Sequence, residues 1–164
     1  MGEKNAVKIG LVGRGYSLSW GGAERVAVSL SKALQHAGHE VDIYVERADR
    51  EIKGEIKNEN IIKVPTADIS SAIRIYSFHR AVRRLLKRKN YDIVLGLTQF
   101  FPLDIYWPGG GVHAHWMRLR HRNKIVRFFK YLTQPAHVVM AWLEANIMDP
   151  ANHRFVITNS KLVK

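Results

Sequence analysis

The chain has 164 residues, enough for one domain with a hydrophobic core, and 46% of them are hydrophobic. It contains no cysteine, which excludes disulfides, thiolate zinc sites and cysteine nucleophiles and fits a reducing compartment. A net charge of +12 favours anionic partners such as acidic lipid, phosphorylated substrates or nucleic acid, and says nothing about fold.

Met1 to Asn5 is polar and no long apolar run follows, so a signal peptide is not expected. No stretch approaches the ~20 apolar residues of a membrane-spanning helix.

Val7-Lys8-Ile9-Gly10-Leu11-Val12 reads as a buried strand leading into a glycine-bearing loop over 13–22. Ala23, Val26, Ala27, Leu30 and Leu34 then fall at helical spacing, and Gly38 suits the end of that helix. Val41-Asp42-Ile43-Tyr44-Val45 is a second strand, so residues 7–45 have the size of a right-handed βαβ crossover. Residues 47–60 are charged and expected to be exposed. Ile61-Ile62-Lys63-Val64 is a short third strand stopped by Pro65. Ile75, Phe78, Val82, Leu85 and Leu86 form a second helical stripe, backed by Arg80, Arg83, Arg84, Lys87 and Arg88.

Strands follow at Tyr91–Leu97 and Asp104–Trp107, then two helices divided at Pro135, whose fixed φ suits a first helical turn. A last strand covers Arg154–Thr158. Strands alternating with helices predict an α/β fold: a doubly wound parallel sheet in a single Rossmann-like domain, with ligands beyond the C-terminal strand ends. Loop 13–22, Thr98-Gln99, loop 107–115 and Asn159-Ser160 all follow strands and would share that edge.

Gly21-Gly22 opens the first helix. Glycines there leave the unpaired N–H groups of a helix start bare, and these attract anions together with the helix dipole. The competing reading is a flexible turn. Gly13-Arg14-Gly15 begins like a dinucleotide fingerprint, but Leu18 stands where its third glycine would fall, which argues against a nicotinamide or flavin site.

Three glycines at 109–111 precede Val112-His113-Ala114-His115-Trp116. Such a run is entropically costly and calls for close ligand approach or positive φ. His113 could polarise a substrate group or sit in a surface loop; a metal on His113 and His115 lacks an evident third ligand. Asp104 could work near a reacting hydroxyl or bond to backbone at a strand start. Arg118, Arg120, Arg122, Lys124 and Arg127, interleaved with Trp116 and other aromatics, suit an anionic lipid interface better than charge alone would. No nucleic-acid recognition motif accompanies them.

Together these residues resemble the N-terminal half of a glycosyltransferase family 4 enzyme of the two-domain GT-B architecture. The matching pieces are Gly21-Gly22-Ala23-Glu24-Arg25, Ala37-Gly38-His39-Glu40-Val41, Leu103 through His113, Trp142 through Ile147 and Val156 through Lys161. The run from Asp104 to His113 is similar to the lipopolysaccharide-core branch, the glucosyltransferase I type. The resemblance implies retaining transfer from a nucleotide-diphosphate sugar, with no metal and no other cofactor, to an anionic glycolipid.

On that resemblance the chain is an acceptor-side domain spanning 1–164, inactive alone without the donor-binding C-terminal domain. It would lie on the cytoplasmic face of the membrane as a peripheral protein. Gly21 and Gly22 would face the donor diphosphate. Asp104 and His113 would lie near the acceptor hydroxyl or transferred sugar. Trp116 and the basic residues 118–127 would face the acceptor or membrane. The alternative is a non-catalytic basic module binding anionic lipid or nucleic acid.

Overall fold

The computed structural model describes residues 6–49, 60–109 and 133–158, together with Met117, Leu119, Arg120 and Asn123. Its strands are β1 (Lys8–Val12), β2 (Gly15–Tyr16), β3 (Glu40–Val45), β4 (Arg47–Ala48), β5 (Asn60–Lys63), β6 (Ile93–Gly96), β7 (Ile105–Tyr106) and β8 (Phe155–Val156). The helices are α1 (Gly22–His36), α2 (Ser71–Leu86) and α3 (Pro135–Ile147).

Six strands form one parallel sheet in the order β5-β3-β1-β6-β7-β8, as the alternating pattern predicts. The order reverses direction beside β1, so the loop after β1 opens at the switch point, where open α/β sheets hold ligands.

Alternation along the strands sends apolar side chains to both faces. Ile9, Leu11, Val41, Ile43 and Val45 meet Ala27 and Val28 of α1 on one face. Val12 and Tyr44 meet Phe78 and Val82 of α2, with Leu143 and Ile147 of α3, on the other. Each fully buried side chain of this size contributes roughly 1.5–3 kcal/mol against the entropy of ordering.

The ends of the elements follow local chemistry. Gly38 has φ +90, the left-handed conformation that stops α1 at little steric cost. The Ser70 hydroxyl accepts from the Ile73 N–H at the start of α2 (3.2 Å). Pro135 occupies the first turn of α3.

Two features differ from expectation. Within the stretch expected to be charged and exposed, Arg47 is exposed, but Arg47–Ala48 also pairs in parallel with Gly15–Tyr16 as a separate ribbon beyond the ends of β1 and β3, and residues 50–59 lie outside the described residues. The strand expected over Tyr91–Leu97 narrows to Ile93–Gly96, with single backbone bonds from Asp92 to the Lys8 carbonyl and from Leu97 to the Val12 carbonyl beyond its two ends, while the Asp92 carboxylate takes the Lys8 N–H (2.8 Å). Among the described residues β8 has no strand on its far side, and Phe155 and Ile157 are exposed there.

Candidate functional site

The glycine loop lies at the C-terminal edge of the sheet and is held on several sides. Gly13 donates to the Tyr44 carbonyl (2.9 Å), and Asp49 donates its N–H to the Tyr16 carbonyl (2.9 Å). Tyr16 is fully buried, its hydroxyl 2.6 Å from the Ser31 hydroxyl on α1. The Ser17 and Ser19 hydroxyls donate to the Asp49 carboxylate, and Arg25 Nε donates to the Leu18 carbonyl (2.7 Å). These bonds fix residues 13–20 and leave Trp20 half exposed beside the helix start.

Gly21 is the N-cap of α1 in an extended conformation, with no side chain bonding back to the helix. Its bare face is not empty: a methyl group there would stand 2.6 Å from Glu24 Oε2, and one on Gly15 would stand 2.8 Å from Glu24 Cγ. Glu24 therefore folds over two glycines and places a carboxylate at the positive end of α1.

Gly22 is different. It is exposed, its φ is not positive, and a methyl there would meet nothing within 4 Å. No neighbour within the described protein demands glycine at that position.

Beside the loop lies a charged group that sequence reasoning missed. Glu46, just past the end of β3, is buried and accepts from Arg14 Nε and Nη2 at 3.0 and 2.6 Å. Arg74, in the first turns of α2, approaches its other oxygen at 3.5 Å, and Asp68 lies 3.6 Å from Arg74. The Arg14 guanidinium also sits over the Phe78 ring. Two cations around one desolvated carboxylate fix where Arg14 leaves the glycine loop. The available signal was a lone acid directly after an apolar strand, which by itself singles out no partner.

The expected site residues do not all gather here. Asp104 stands just before β7, level with Val94 of β6 and so with Gly10 in the middle of β1, below the edge that carries the glycine loop. Its carboxylate accepts from the Val94 N–H (2.8 Å) and pairs with Arg154 Nε (3.1 Å), while its backbone N–H and carbonyl bond to β6 and to Arg154 and Phe155. This is the strand-start reading, and both oxygens are engaged in it. Thr98, Trp107 and Ile157 do reach the C-terminal edge, where Leu97, Trp107 and Ile157 extend the ladder of backbone bonds. His113, Trp116, Arg118, Arg122, Lys124, Arg127 and Asn159-Ser160 lie outside the described residues. Arg120 is described and exposed. Among the described residues no cluster of His, Asp or Glu has the arrangement of a metal site.

At the other end of β3 a second polar network closes the sheet. Lys89 Nζ (2.6 Å), the Tyr91 hydroxyl and Asn60 Nδ2 (2.6 Å) all donate to Asp42, and Tyr44 and Tyr91 share a hydroxyl contact of 2.7 Å. Burial alone would raise the Asp42 carboxyl, but these bonds outweigh it and hold it below the ordinary carboxylate value. Both oxygens of Asp42 are engaged, and the network serves the fold.

A parallel sheet wound on both faces, with a glycine-opened helix at its switch point, is the class of domain that presents backbone N–H groups to a phosphate-bearing ligand. The Glycosyltransferase Family 4 model matches residues 20–164, and the chain belongs to that family. Among solved structures it is similar in fold to WaaG, a glycosyltransferase involved in lipopolysaccharide biosynthesis, with a TM-score of 0.71 and 20% identity. The match covers 90% of this chain and 37% of that one, so the sheet corresponds to one Rossmann-like half of a GT-B fold. No curated protein matches the sequence.

Proposed function

We propose that this chain is the acceptor-side half of a retaining glycosyltransferase that moves a sugar from a nucleotide-diphosphate donor to a glycolipid acceptor of lipopolysaccharide-core type. The donor-binding half would close over the C-terminal edge of the sheet, and the chain without it would not turn over. Negative charge grows on the diphosphate as the sugar–phosphate bond breaks, and the N–H groups at Gly21 and Gly22 stabilise it without reorganising. Loop 109–115, with His113, would lie near the acceptor hydroxyl, and the Trp116–Arg127 run would meet the anionic acceptor at the cytoplasmic face of the membrane. No metal or other cofactor is invoked.

The observation that carries this reading is Gly22. It is exposed in the first turn of α1 at the sheet's switch point, and nothing within 4 Å of a Cβ placed there closes off its main chain, which leaves room for a ligand to approach the helix start.

The test is Gly22→Ala in the protein that carries both halves. The unfolding midpoint should hold or rise, since alanine is the better helix former, while kcat for sugar transfer falls on the order of a hundredfold. Unchanged kcat would remove the diphosphate role. Turnover of UDP-sugar by the 164-residue chain alone would remove the need for a second half.

A further inference from the structure

We propose that the outer face of α2 and α3 is a docking surface for an anionic phospholipid bilayer. Tyr76, Arg80, Arg83, Arg84 and Lys87 fall on one stripe of α2, at the spacing that places them along a single side of the helix. Two shallow grooves of about 530 and 570 Å³ run along that stripe, sharing Tyr76, Arg80 and Arg84 as the ridge between them. One groove is bordered by Ile73 and Val139, the other by Phe101 and Trp142.

The charges here are not balanced as they are elsewhere. Arg14, Arg74, Lys89 and Arg154 each lie against a carboxylate. Arg80, Arg83, Arg84 and Lys87 have no carboxylate partner among the described residues. Arg80 reaches the Tyr76 hydroxyl (3.4 Å) and lies over its ring at 5.9 Å, and Arg83 lies over Phe101 at 5.7 Å.

The same face leaves apolar groups in water. Ile73, Tyr76, Val138 and Trp142 are 42%, 41%, 50% and 43% exposed. Trp142 is held edge-on against Phe101 at 5.4 Å and His79 at 5.8 Å, so this wall is already ordered before any partner arrives. Cations flanking exposed Tyr, Trp and aliphatic side chains match the layered chemistry of a bilayer surface, with phosphates outermost and hydrocarbon beneath. A nucleic acid would use the cations and leave Ile73 and Val138 without a role. The surface deepens the glycolipid reading and rests on it for its purpose, but its test needs no sugar.

The test is co-flotation of the 164-residue chain with phosphatidylcholine vesicles, with and without phosphatidylglycerol, across a salt series. The chain should float only with phosphatidylglycerol present and less so as salt rises. Arg80→Glu/Arg84→Glu, at exposed positions, should lower the partition coefficient by about tenfold or more with an unchanged circular dichroism spectrum. Ile73→Ser should weaken binding without changing its salt dependence.

The comparison is Arg122→Glu/Lys124→Glu/Arg127→Glu. If that variant alone loses binding, the α2–α3 surface is overturned while the glycolipid reading stands. Equal flotation with neutral vesicles, no flotation at all, or a dimer in sedimentation that Arg80→Glu/Arg84→Glu dissociates would each overturn it as well. So would RNA-duplex binding in place of vesicle binding. Failure of sugar transfer in the two-domain protein would leave the flotation result untouched.

Discussion

The carboxylate of Glu24 lies across the bare face of Gly21, with Oε2 only 2.6 Å from where a Gly21 side chain would begin. An acid at this place in the first turn stabilises α1 by roughly 0.3–1 kcal/mol through the helix dipole. It also fills part of the space that an incoming anion would use. Glu24→Ala is expected to lower the urea-unfolding free energy by that amount and to strengthen binding of inorganic pyrophosphate to the chain. Calorimetric titration of both proteins checks it; weaker pyrophosphate binding in the variant would mean that Glu24 does not compete for the site.

Glu46 is the keystone of the charges beside the glycine loop. Removing it leaves Arg14 without a carboxylate and Arg74 with only the exposed Asp68, 3.6 Å away. A fully buried pair broken this way costs ~3–5 kcal/mol. Arg14 and Arg74 are about one-third exposed, so Glu46→Ala is expected to cost about 2–3 kcal/mol. A double-mutant cycle with Arg14→Ala should recover part of that loss as coupling, and a cycle with no coupling would show that the pair adds nothing to stability.

Asp104 separates two roles that the sequence leaves open. If it serves the sheet, Asp104→Ala strands the Val94 N–H and unpairs Arg154, costing ~1–3 kcal/mol in denaturant unfolding. Any loss of transfer in the two-domain protein would then track that instability. If Asp104→Asn abolished transfer at unchanged stability, the carboxylate would be needed at the reaction centre after all.

His79 sets an acid limit on stability. It is buried beneath Tyr76, Phe101 and Trp142, its Nδ1 has no hydrogen-bond partner, and burial followed by the charges of Arg83 and Arg80 pushes its pKa down from 6.5 to about 4. The unfolded chain therefore binds a proton at this position between those values that the folded chain does not. Stability is expected to fall as pH drops from 6.5 towards 4, by on the order of 3 kcal/mol from this group. Asp42, held below its ordinary value, contributes above pH 4 and loses that contribution only as pH falls further. Urea unfolding at successive pH values checks the sign. His79→Phe should flatten the slope between pH 6.5 and 4, and an unchanged slope would assign it to another group.

Most of the architecture is legible from apolar spacing. β1, α1, the stop at Gly38, β3 and α2 each carry a repeat or a terminator that physics reads locally, and Pro135 marks the start of α3. The β2–β4 ribbon is not legible, because two residues show no periodicity and their partners are about thirty positions away. The Arg14–Glu46–Arg74 group is hidden for the same reason: charge pairing across a fold leaves no mark on sequence spacing. Asp104 illustrates a third limit. An acid at a strand start has the same identity whether it serves backbone or substrate, and its bonds to the Val94 N–H and to Arg154 come into view only in the folded chain.

Among the described residues the outer flank of β8 has no paired strand, and this has a practical corollary. Its backbone groups, beside Phe155 at 65% and Ile157 at 50% exposure, offer a template on which another copy's strand can add. Molecules carrying +12 each repel one another and oppose that addition. Turbidity of the purified chain should consequently climb as ionic strength rises and that repulsion is screened, making low-salt storage the condition in which it stays dispersed.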